Sequence, residues 1–156
     1  MAEGKPFLPE TETAVPILCQ PSAGEVLGVL GGRMTFKVLS EQTGGAYAIV
    51  EQQIPAGQGP PPHVHRHETE IFDILEGQFE VTIGGQKMAV SAGAMVVAPR
   101  DIPHTFRNVG PDEGRFLLTF MPGRFAHYFI EADGVPDNDR PAIKALFAKY
   151  EVEILA

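Results

Sequence analysis

The chain has 156 residues, 44% of them apolar and 21% charged, the make-up of one globular domain rather than of a disordered chain. Twelve Lys and Arg stand against 20 Asp and Glu, a formal charge of −8, and the basic residues are scattered singly, so neither nucleic acid nor an anionic membrane is an expected partner. Seventeen Gly and 14 Pro interrupt the sequence too often for a helix bundle, and no apolar run reaches the roughly 18 residues of a membrane span.

In chain order, residues 1–24 hold four prolines and little periodicity and are read as an N-terminal arm. Cys19 is the only cysteine. It has no intramolecular disulfide partner and no activating base beside it, so it reads as an incidental or buried thiol. The opening Met1-Ala2-Glu3-Gly4-Lys5-Pro6 lacks the basic start and apolar core of a signal peptide, so a cytoplasmic location is expected.

From residue 25, short apolar runs follow at 26–30, 34–39, 46–54, 71–75, 79–83, 87–90, 95–98, 104–109 and 116–121, separated by turn signals such as Gly31-Gly32, Gly44-Gly45 and Ala92-Gly93. Nine strands at this spacing predict an all-β sandwich or barrel over residues 25–122. Gly84-Gly85 between two such runs is the strongest hairpin signal. The run from Glu70 to Leu75 is apolar on both strand faces apart from Glu70 and Asp73. Its outer face therefore needs a cover, and a second subunit in a homodimer would provide one.

Residues 123–156 read as a helical extension of the same domain. A short helix over 123–132 carries Phe125, Tyr128 and Phe129. A second starts at an Asp139 N-cap with Pro141 in its first turn and ends near Tyr150. Ile143, Leu146, Phe147 and Tyr150 share one face of it, so both helices are expected to pack outside the barrel.

Three of the five histidines fall in His63-Val64-His65-Arg66-His67. On a strand, His63 and His65 point to the same face. A turn through 66–69 would return Glu70 on an adjacent strand toward the same side. Two imidazoles and one carboxylate with open positions form a ligand set for a divalent transition metal, although a pair of core histidines has the same spacing. His104 begins a later run and is placed to converge on the same interior.

The spacing reads Gly57-x5-His63-x-His65-x4-Glu70-x6-Gly77, then Gly93-x5-Pro99-x-Asp101-x2-His104-x3-Asn108. These segments resemble the two motifs of the cupin superfamily, G-x5-HxH-x3,4-E-x6-G and G-x5-PxG-x2-H-x3-N. They match at nine of the ten fixed positions; Asp101 stands where the family usually has Gly, and Asp tolerates a left-handed conformation. The stretches Thr43-Gly44-Gly45 and Ile54 to Pro62, and the C-terminal segment ending Ala148 to Leu155, look like the small single-domain cupins related to quercetin 2,3-dioxygenases.

The resemblance implies a double-stranded β-helix (jelly-roll) barrel, pairing of two copies through outer strands, and metal ligands at His63, His65, Glu70 and His104. It implies one divalent transition metal per chain, iron, nickel, manganese, cobalt, copper or zinc, with Glu70 also serving as the catalytic base. Cleavage of a small aromatic or enol substrate with O2 is the implied reaction. Another metal-dependent activity (isomerase, cyclase or decarboxylase) and a binding protein without turnover are the alternatives. Strand parity puts Phe72 with Glu70 and Phe106 with His104, and these two together with Phe120 are candidate pocket residues. His67 falls in the expected turn and His127 on an outer helix, so neither is read as a ligand. Arg66 and Arg100 lie in loops beside the ligands and read as solvated, with contact to an anionic substrate as the alternative.

Overall fold

The computed structural model describes residues 15–29, 31–136 and 138–155. The first fourteen residues of the expected arm, and Leu30 at the end of the first expected strand, lie outside the described residues. Alternation of apolar and polar side chains builds the strands. In Ala48–Ile54, every second residue (Ala48, Val50, Gln52, Ile54) is buried, and the residues between them are half-buried. A strand with this period buries one face only.

Eleven strands are present among the described residues: β1 (Val26–Val29), β2 (Gly32–Val38), β3 (Ala48–Ile54), β4 (His63–His65), β5 (Thr69–Glu76), β6 (Gln78–Ile83), β7 (Gln86–Ser91), β8 (Met95–Ala98), β9 (His104–Asn108), β10 (Gly114–Met121) and β11 (Val152–Ile154). They form two antiparallel sheets, ordered β1-β2-β3-β10-β5-β8 and β11-β4-β9-β6-β7. The expected jelly-roll fold is observed. Phe72 and Ile74 of β5, Phe79 and Val81 of β6, Phe106 of β9, and Phe116, Leu118 and Phe120 of β10 fill the space between the sheets.

The expected turns are present. Gly84 and Gly85, with φ of 55° and 82°, join β6 to β7 as a two-residue hairpin. Gly77, at φ 90°, turns β5 into β6, and a Cβ there would stand 2.8 Å from the Cα of Gly114. Two strands were not anticipated, β4 as a separate element and β11 at the C-terminus. With three residues each, neither is long enough to show alternation.

The helices are α1 (Ala126–Ala132) and α2 (Arg140–Lys149). The Asp139 side chain accepts a hydrogen bond from the Ala142 N–H at 3.1 Å, the expected cap. Both helices pack outside the sheets, with Tyr128 of α1 stacked on Phe147 of α2. The helix expected over 123–132 opens as a 3-10 turn, Gly123–Phe125, and that turn reaches inward. Among the described residues no helix is long and apolar enough to cross a membrane.

Candidate metal centre

β4 lies between two strands that fix its register. β11 pairs Val152 with His65 and Ile154 with His63, while β9 pairs His104 directly with His63. The chain then turns and enters β5, which belongs to the opposite sheet. Glu70 therefore faces His63 and His65 across the barrel, not from a neighbouring strand as the spacing had led us to expect. The turn crosses between sheets instead of reversing within one.

Asp101 adopts φ 64°, so the left-handed position usually held by glycine is kept. Its N–H donates to the His65 carbonyl at 2.8 Å, tying the segment that delivers His104 to the strand that delivers His65. Asn108, at the far end of β9, is fully buried. It donates to the Ile54 and Asp112 carbonyls at 2.8 and 2.9 Å and accepts from the Gly110 N–H at 2.9 Å. It anchors β9 and takes no part in the centre.

One ligand atom from each of His63, His65, Glu70 and His104 lies within 4.8 Å of the others, close to the roughly 4 Å that spans opposite ligands of a single ion. The imidazoles are oriented for this. His63 Nδ1 faces the Pro61 carbonyl at 2.9 Å, His104 Nδ1 faces the Ile102 carbonyl at 3.2 Å, and His65 Nδ1 faces Glu68 Oε2 at 3.3 Å. Each of these partners accepts, which assigns the proton to Nδ1 and leaves the Nε2 lone pair pointing inward. His65 Nε2, His104 Nε2 and Glu70 Oε2 are buried and make no hydrogen bond, although Glu70 Oε2 lies 2.5 Å from His104 and 3.4 Å from His65. Buried polar atoms without partners are rare, and an ion at their common point would account for these. The donor set fits a divalent transition metal.

Burial pushes His63 down to about 4, keeping its imidazole neutral. Burial alone would raise the Glu70 carboxyl, but His65, His104 and His63 outweigh it and hold the group at about 2. Burial likewise opposes charge on His104, and the adjacent carboxylate of Glu70 overcomes it and raises the His104 pKa. Glu70 is thus a carboxylate throughout the neutral range.

Aromatic rings enclose the cluster. Phe72 meets His104 with ring centroids 6.4 Å apart, and Phe120 sits opposite Glu70 in the β5–β10 register. Phe106 packs on Phe72, Phe79 and Phe116. Two residues beside the cluster are not among the site residues that the sequence pointed to. Phe125, brought in by the 3-10 turn, stands edge-on to His65 at 4.3 Å and packs on Phe120. Glu68, only 1% exposed, carries the carboxylate behind His65. It shares the parity of Glu70, and that was the one signal available.

The remaining candidates stay outside, as expected. His67 is half-exposed and pairs with Glu151 at 2.6 Å. His127 pairs with Glu41. Arg66 is taken up by Glu153 and Asp101, and Arg100 is exposed. A cavity of about 400 Å³ lined by Gln78, Ser91, Pro111, Asp112 and Glu113 opens at the opposite end of the barrel, where β5 leaves and β6 begins, and shares no residue with the cluster.

Residues 50–120 match the cupin domain family. The chain is 27% identical over 118 residues to a quercetin 2,3-dioxygenase of Bacillus subtilis, covering 74% of this chain and 34% of that protein. It is 29% identical over 86 residues to polyketide synthase CurC of Streptomyces cyaneus, covering 53% and 56%. The chain thus spans about a third of the first relative's length and just over half of the second's. Among solved structures, KdgF from a Halomonas species superposes with a TM-score of 0.64 at 22% identity, over 72% of this chain and 99% of that one.

Proposed function

We propose that this chain, whose residues 50–120 match the cupin domain family, is a metal-dependent dioxygenase that cleaves a small aromatic or enol substrate with O2. One observation carries the reading: four inward-facing ligand atoms bordered by Phe72, Phe120 and Phe125, with no buried Lys or Arg among the described residues. Such a surrounding suits a planar apolar substrate with an acidic hydroxyl. A sugar or organic acid would call for cationic partners.

His63, His65, His104 and Glu70 would hold one divalent ion, which supplies Lewis-acid and redox chemistry when bound. Glu70, ionised across the neutral range, takes the proton of the enol or phenol on a carboxylate oxygen. Phe72, Phe120 and Phe125 orient the ring and keep water away. His63, at 8% the most exposed of the four, marks the side from which substrate enters. Phe106 supports Phe72 from below.

The similarity to polyketide synthase CurC favours a second reading, a cyclase or isomerase acting on a related enol without O2. Oxygen-electrode screening separates the two. Protein loaded in turn with iron, nickel, manganese, cobalt, copper and zinc should consume O2 with at least one flavonol, enol or diketone. A metal-loaded protein that consumes none across the panel belongs to the second reading.

The same proposal includes a homodimer. On the outer face of the six-stranded sheet, Met95 and Val97 of β8 are 65% and 49% exposed, and they lie opposite Asp73 and Ile71 of β5 in register. A second copy seated there would cover the outer face of the strand that is apolar on both sides.

A further inference from the structure

We propose that Glu68 is a positioning residue of the metal centre, fixing the tautomer and donor strength of His65 and supplying the second negative charge that balances a divalent ion. This rests on the four-residue cluster holding a metal.

Glu68 is 1% exposed, buried like the side chains of the core. Its Oε2 stands 3.3 Å from His65 Nδ1, and its Oε1 has no partner at all. The three imidazoles are not equivalent. His63 and His104 present Nδ1 to backbone carbonyls, which orient a ring but carry no net charge. His65 alone has a carboxylate behind it. A carboxylate draws the Nδ1 proton toward itself, leaves Nε2 richer in electron density, and strengthens the bond from that nitrogen to a metal.

Charge balance points the same way. Glu68 and Glu70 are the buried acidic side chains among the described residues, and no Lys or Arg is buried with them. With each imidazole holding an ion through Nε2 the rings would carry no charge, and the two buried carboxylates are the groups placed to balance it. A carboxylate in such surroundings is costly unless a cation compensates it. One divalent ion neutralises both.

The test titrates cobalt(II) and zinc(II) into the metal-free protein against a chromophoric chelator and records the cobalt absorption bands. Glu68→Gln keeps size and acceptor and removes the charge. It should bind both ions about 10- to 100-fold more weakly, with shifted cobalt bands of unchanged coordination type. Glu68→Asp, keeping the charge on a shorter arm, should fall between Gln and wild type. His67→Ala, outside the cluster, should match wild type. For any variant only partly folded without metal, the metal-induced rise in melting temperature gives the same ranking. Equal affinity and superimposable bands for wild type and Glu68→Gln overturn this proposal alone, and an Asp variant no better than Gln overturns the charge argument. A wild type that binds neither ion overturns the metal site and this proposal with it.

Discussion

Glu70 is a carboxylate that burial alone would protonate, kept ionised by the imidazoles around it. Glu70→Gln leaves the ring positions intact and removes the base. Oxygen uptake should fall by at least about a hundredfold, while elemental analysis still finds part of the metal on His63, His65 and His104. Full turnover in that variant would take the proton-accepting role away from Glu70. At this scale the clustering of His63, His65, Glu70 and His104 was legible, because they sit at spacings that few arrangements of strands share. Glu68 was not, since it falls among the unconstrained positions between His65 and Glu70. Its burial follows from the turn crossing to the opposite sheet. Phe125 was legible as a packing residue of the C-terminal extension, but its contact with His65 depends on a 3-10 turn that leaves no periodic trace.

Strands with several alternating pairs, β3, β5, β6 and β10, were readable from hydrophobic period, and the Asp139 cap announced α2. β4 and β11 were not readable, because three residues carry no period and their pairing is settled by tertiary contacts. The C-terminal extension supplies β11 to the edge of the five-stranded sheet, beside the strand that bears His63 and His65. It is held in place partly through Glu131, whose carboxylate accepts from Lys149 Nζ at 2.6 Å and from the Tyr150 hydroxyl at 2.5 Å. The Lys149 ammonium, and then Tyr150, hold the Glu131 carboxyl below its ordinary value. A carboxylate lowered by folding stabilises fully above its unfolded pKa of about 4.3, and the contribution fades as pH falls through the lower folded value. Thermal melts of wild type and Glu131→Gln should therefore differ at pH 6 and converge below about pH 4. A gap that stays constant down to pH 3 would mean that the ion pair does not tie α1 to the end of α2.

For the whole molecule, two sheets enclose one phenylalanine-rich interior with the ligands gathered at one end and the motif residues Gly77 and Asn108 at the other. The family resemblance made this architecture legible in the sequence, whereas strand count alone left sandwich and barrel open. The outer face of the six-stranded sheet bears on assembly. Changing Met95 and Val97 together to Lys places two charges on the proposed contact without touching the core, so light scattering after gel filtration should read a dimer for wild type and a monomer for the double variant. A wild-type monomer would remove the dimer from the proposal. The centre itself is tested most directly by elemental analysis of protein purified without chelators and then incubated with each candidate ion. About one transition-metal ion per chain, lost in His104→Ala, with a higher melting temperature when loaded, is the predicted result. No bound metal with any of the ions, and melting unchanged by all of them, would contradict the metal centre on which the proposed chemistry depends.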